Sequence, residues 1–269
     1  METIPALHLY RMRYFFPFFI FLVTTSPSQA QTVADIAAPA GFNRLEQPAG
    51  AFGAWLRKIP LKKDKTVYLY NGKKKTNQQA QFAVLDVSVG KKDLQQCADA
   101  VMRLYAEYRF AAQQYDKIVF HATDGTRMDY DSWRQGTRFV LQKGRLVRRH
   151  IAAASNSRAS FDQYLNTVFS YAGTLSLSKE LKKAEDILPG DVFITGGSPG
   201  HAVIVTDVAV NKAGRRQFLL AQSYMPAQDI HILVNPAHPQ SPWYEVSPAA
   251  PLITPEWDFA PGSLKRFPW

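Results

Sequence analysis

LPGDVFITGGSPGHAVIVTDVAVNKAGRRQFLLAQSYM, residues 188–225, decides how this chain is read. LPGDVFI (188–194) is a strand entered through Pro189-Gly190, and GGSPG (196–200) is a tight turn. HAVIVTDVAV (201–210) is a long β-branched strand, and QFLLAQSYM (217–225) is its return after a loop at Asn211 to Gly214. An antiparallel meander is expected, with a histidine at the head of its second strand. The loop sets which return-strand residue shares the face of His201. A two-residue turn at Lys212-Ala213 selects Gln222, whereas a three-residue loop ending at Gly214 selects Ser223. Gln222 is the expected choice, because its amide oxygen can accept from an imidazole N–H; Ser223 and Tyr224 are the alternatives.

Upstream lies DLQQCADAVMRLYAEY (93–108), which holds Cys97, the only cysteine of the chain. Asp93 with Gln96 forms a capping-box pattern, and Val101, Leu104, Tyr105 and Tyr108 recur at helical spacing. Cys97 then falls in the first turn of a helix. Such a terminus carries about half a positive charge and unpaired N–H groups. Both favour a thiolate, and a cysteine there can titrate below about 8.5. The same N–H groups can hold an oxyanion. Cys97 is therefore a candidate nucleophile and His201 its base and acid, with Gln222 orienting the imidazole. The Cys97 N–H, assisted by Gln95 or Gln96, would face the oxyanion.

The setting of that cysteine matters. Arg11 and Arg13 precede the apolar run Tyr14 to Val23, and Ser28 and Ala30 occupy the small positions of a cleavage site. Residues 1–30 are expected to be a signal peptide cut after Ala30, the run being shorter than the roughly 20 residues a membrane span needs. A secreted or periplasmic product with no later transmembrane segment follows. A lone cysteine in that oxidising setting is an intermolecular bridge, a buried filler or a working thiol.

Residues 31–40 are expected as a disordered leader and 41–269 as one domain. AGAFGAWLRK (49–58) reads as a short helix, and TVYLY (66–70) with QFAVLDVSV (81–89) as a hairpin across Asn71-Gly72. SFDQYLNTVFSY (160–171), capped by Ser160 with Gln163, and SLSKELKKAE (176–185) read as helices. Residues 110–186 form an insertion between the cysteine and the histidine.

The net charge of +10 suits anionic surfaces such as cell wall. The basic runs Lys73 to Lys75, placed on a solvated loop tip, and Arg145 to Arg149 do not alternate with aromatics, which argues against nucleic acid. No H-E-x-x-H, paired cysteines or Gly-rich phosphate loop occurs, so neither metal nor cofactor is expected. His121, His150 and His238 read as solvated. His231, in the alternating D-I-H-I-L, reads as core or sheet edge within reach of a cleft.

Q-C-A-D-A-V-M-R-L-Y-A-E-Y (96–108) resembles the nucleophile helix of the NlpC-type cell-wall peptidases, roughly D-C-S-G followed by apolar positions and a tyrosine. LPGDVFI followed by PGHAVIV resembles their second motif, and CHAP-type amidases share the same plan. The resemblance implies an α+β, papain-like fold, with the nucleophile helix packed on an antiparallel β meander and an inserted helical region. It also implies amide hydrolysis through a Cys97 thioester, with peptidoglycan stem peptides as substrate. Two features depart from it: the long gap between Cys97 and His201, and Ala98-Asp99 in place of Ser-Gly. Asp99, if close to the thiol, opposes a thiolate, which favours the alternative of a silent relative that binds cell wall or a protein partner. GFNRLE, WLRKIPL, DLQQCADAVMRL, GDVFITGGSPGHAVIV, LLAQSYMPAQDIHIL and TPEW also resemble an uncharacterised, domain-of-unknown-function family of secreted bacterial proteins.

Overall fold

The structure is a computed structural model and describes residues 1–2, 31–245 and 250–268. The expected signal peptide and its cleavage site after Ala30 lie outside the described residues, apart from Met1 and Glu2.

In chain order the elements are β1 (Phe42–Arg44), α1 (Phe52–Leu56), β2 (Gln81–Val84), α2 (Cys97–Ala111), β3 (Val119–His121), β4 (Arg127–Asp129), α3 (Tyr130–Arg134), β5 (Thr137–Gln142) and β6 (Arg145–His150). There follow α4 (Arg158–Tyr171), α5 (Thr174–Glu180), β7 (Lys182–Lys183), β8 (Val192–Thr195), β9 (His201–Asn211) and β10 (Arg216–Gln222). Then come β11 (His231–Leu233), β12 (Trp243–Tyr244), β13 (Leu252–Ile253), β14 (Asp258–Phe259) and β15 (Leu264–Arg266).

A nine-stranded antiparallel sheet frames the molecule, in the order β2-β11-β10-β9-β8-β15-β7, with β1 added to β9 and β12 to β10. Its centre, β9, is buried on both faces, which is why HAVIVTDVAV is apolar almost throughout instead of alternating. Ala202, Ile204 and Ala209 join the larger core, with Ala98, Val101 and Tyr105 of α2 and Phe161 and Leu165 of α4. Val203, Val205 and Val208 join a second core with Phe193, Phe218 and Phe259.

The expected α+β, papain-like class with an inserted helical region is overturned by this architecture. The described residues form a mostly antiparallel β structure, and its helices are few. Region 110–186 contributes two hairpins, β3–β4 and β5–β6, as well as helices. The sequence reading missed this because β1, β7, β12 and β15 are two or three residues long, too short to show alternation.

Three smaller expectations are also corrected. The stretch 31–40 is built into the fold: Val33 is fully buried and its N–H donates to Ile59 O at 3.1 Å. Residues 66–70 do not pair with 81–89; β2 pairs with β11, and Tyr70 N donates to Ala227 O at 2.8 Å. Helix α4 is capped by Ser157, whose hydroxyl accepts from Ser160 N, one turn earlier than expected. No helix among the described residues is long and apolar enough to cross a membrane.

Candidate active site

Cys97 is the first residue of α2, with Gln96 as its N-cap. Asp93, the expected cap, instead accepts from Ala227 N at 2.7 Å and Gln96 Nε2 at 3.2 Å. The capping carboxylate is Asp99, whose Oδ2 accepts from Gln96 N at 3.0 Å. The turn before the helix is pinned to the sheet by Ser223, whose Oγ lies 2.9 Å from Gln95 O and accepts from Gln228 N at 3.3 Å. Ser223 is thereby a buried tether, facing away from His201.

His201 opens β9 behind a turn that only glycine permits. A Cβ on Gly200 would lie 2.5 Å from both Gly197 O and Thr174 Oγ1. The Pro189-Gly190-Asp191 entrance has a structural use: Asp191 accepts from Leu188 N at 2.7 Å and from Arg266 Nε at 2.6 Å, tying β8 to β15.

The loop after β9 is of the three-residue kind, Asn211 N donating to Arg215 O, which by itself would put Ser223 beside His201. A bulge intervenes. Leu219 lies opposite Asp207 but Leu220 opposite Val205, leaving Thr206 as the extra residue. The register shifts by one, and Gln222 falls on the histidine face. His201 Nε2 is 2.8 Å from Gln222 Oε1. His231, the cross-strand partner of Gln222 on β11, stands on the same face.

The glutamine is gripped from behind. Its Nε2 donates to Glu256 Oε2 at 2.7 Å, and Lys75 Nζ pairs with the same oxygen at 2.5 Å. His231 Nε2 is 3.5 Å from Gln222 Nε2, while His231 Nδ1 bonds Asp229 O at 2.9 Å. Glu256 and Lys75 escaped the sequence reading. The signals were the lone acid of TPEW and a lysine that ends a basic run; Lys75 is only 7% exposed, not on a solvated loop tip.

Cys97 and His201 line one cleft of about 290 Å³, together with Gln96, Asp99, Tyr224 and Trp257. Tyr224 and Trp257 flank the imidazole at centroid distances of 4.8 and 5.4 Å. Gln95 is not at this cleft; its side chain is buried and accepts from Arg103 at 3.2 Å. His121 lines a different cavity of about 460 Å³ with Glu180. Among the described residues no group of three or more His, Cys, Asp or Glu could hold a metal ion.

The electrostatics differ from the thiolate expected at a helix terminus. Burial, and secondarily the Asp99 charge, pushes the Cys97 thiol up to about 11, although the N–H groups of Ala98, Ala202 and Cys97 itself pull the other way. Burial also raises Asp99 to about 8 and lowers His201 to about 4, the Gln222 bond and the Glu256 charge partly opposing the latter. At neutral pH the cleft holds a thiol and a neutral imidazole. Two cleft-lining residues carry buried polar atoms without a partner, Asp99 Oδ1 and Trp257 Nε1.

No curated protein and no solved structure matches the chain. A family model does match, over residues 33–266, from the buried Val33 to the last strand of the sheet. That span includes every residue of the cleft, and the chain therefore belongs to the DUF4846 family, described as a domain of unknown function.

Proposed function

We propose that this protein is a cysteine hydrolase that cleaves an amide bond, in peptidoglycan stem peptides, outside the cytoplasm. The observation that carries this reading is the shared cleft of Cys97 and His201, with His201 held by Gln222. The motif resemblance to NlpC-type peptidases supports the chemistry, though not their fold. Arg11, Arg13 and the apolar run Tyr14 to Val23 support export.

Because the resting groups are neutral, His201 acts as a general base. It takes the thiol proton as Cys97 Sγ adds to the carbonyl. The oxyanion meets the N–H groups of the α2 terminus. Collapse breaks the C–N bond, and the imidazolium returns its proton to the leaving amine. Water then attacks the thioester with His201 again as base, releasing the acid and restoring the thiol.

Purified protein incubated with muropeptides and followed by mass spectrometry tests the proposal. Loss of one amide bond is expected with the unaltered chain. Cys97→Ala and His201→Ala should each lower the rate by at least about 10²-fold. Unchanged cleavage in both variants would sink the assignment. One observation favours a second reading, a silent domain that binds cell wall or a partner: burial and Asp99 hold the thiol high. That reading predicts binding to isolated sacculi with no cleavage, and insensitivity of that binding to Cys97→Ala.

A further inference from the structure

The amide of Gln222 can be inserted either way round, and its neighbours decide which. Its nitrogen faces a carboxylate, Glu256 Oε2 at 2.7 Å, which can only accept. The same nitrogen faces His231 Nε2 at 3.5 Å. His231 Nδ1 lies 2.9 Å from a backbone carbonyl, Asp229 O, so Nδ1 carries that ring's proton and Nε2 is an acceptor. Both neighbours of the Gln222 nitrogen are therefore acceptors, and its oxygen must point to His201. That oxygen accepts, so His201 Nε2 is the donor across 2.8 Å. The other ring nitrogen, Nδ1, is left as a lone pair, with no protein partner among the described residues.

We propose that Glu256, neutralised by Lys75, is a positioning residue that fixes the Gln222 amide and so holds the His201 proton on Nε2. His231 and Asp229 O complete the clamp. Lys75 Nζ, 2.5 Å from the same Glu256 oxygen, supplies the countercharge beside the carboxylate. Asn77 Nδ2, at 3.0 Å from Glu256 Oε1, holds the outer oxygen. Nδ1 is then the atom that removes the Cys97 proton. This catalytic consequence rests on the cysteine-hydrolase reading, whereas the position of the proton does not.

The test is a two-bond 1H–15N imidazole spectrum of the full chain at pH 7, with His201 assigned by comparison with His201→Ala. Alkylation of Cys97 by iodoacetamide is followed against pH on the same samples. The unaltered protein should show His201 as the Nε2–H form alone. Glu256→Ala should give a mixture of tautomers and slow alkylation roughly tenfold near pH 8. Glu256→Gln, which keeps an acceptor oxygen, should restore both. Glu256→Met keeps the volume without the acceptor and takes the place of the alanine variant if that one does not fold, as judged by thermal unfolding. A pure Nε2–H form in the acceptor-free variant, or an Nδ1–H form in the unaltered protein, overturns the inference. A tautomer that responds to Glu256 in a protein that cleaves no muropeptide upholds it while removing the hydrolase reading.

Discussion

At the scale of single residues, Asp99 is the most consequential side chain the two motifs do not explain. One oxygen caps α2 and the other is buried without a partner, beside the thiol. Its charge raises the Cys97 pKa, but only once Asp99 is itself ionised, above about pH 8. Asp99→Asn should therefore leave alkylation unchanged below pH 8 and accelerate it above, by lowering the thiol pKa from about 11. A rate–pH profile superimposable on that of the unaltered protein up to pH 10 would show the two groups to be uncoupled. That Cys97 and His201 share a cleft and that Gln222 meets the imidazole could be anticipated from sequence, because the candidates for such a cluster come from a short menu of side chains. The place of Glu256 and Lys75 could not, since nothing local marks a carboxylate and an ammonium 181 positions apart as a half-buried pair.

Individual elements set where those residues point. The bulge at Thr206 decides between Gln222 and Ser223, and turn length alone gives the wrong answer. A bulge leaves little trace in a sequence; here the sign is Thr206-Asp207, two polar residues interrupting an apolar strand, with Asp207 buried against Arg44 and Arg57. The start of α2 was legible to within a turn. Its cap was not, because Asp93 with Gln96 fits the capping-box pattern, whereas the pair the fold uses, Gln96 at the N-cap with Asp99 three residues on, does not. Ser223 is the element-scale lesson: rejected by the histidine face, it fastens Gln95 to β10. Ser223→Ala should lower stability by about 1–3 kcal/mol, the usual cost of leaving buried backbone partners unmade. Urea titration measures this, and a change within about 0.5 kcal/mol would contradict the tethering role.

Over the whole molecule, buried acids and buried imidazoles pull stability in opposite directions. His201 and His231 are both lowered to about 4 by burial, so between about 4 and 6.5 the unfolded chain binds more protons than the folded one. Their contribution is complete above pH 6.5 and is lost as pH falls through about 4. Asp99 and Glu180, raised to about 8 and about 7, act the other way, losing stability as pH rises. Relative to the unaltered protein, His231→Gln should gain stability on going from pH 7 to pH 4.5, read as the shift in urea midpoint. An equal shift at both pH values would contradict burial as the cause. At this scale the sequence was least legible. The central meander was plain, but the chain adds strands of two or three residues from its beginning, middle and end, and no window of sequence shows that they meet.

The placement of β9 has one more consequence. It is the common wall of both cores, with Ile204 and Ala209 on one side and Val203 and Val208 on the other. Neither side has an interior once that strand leaves. Its amides should exchange with solvent deuterium last, whereas the β5–β6 hairpin, a two-stranded sheet of its own with Leu141 exposed, should exchange sooner, held back only by Phe139 and Leu146 in the core. The strand that presents the histidine should thus belong to the slowest-exchanging part of the molecule, and the imidazole is mounted on the wall that yields last.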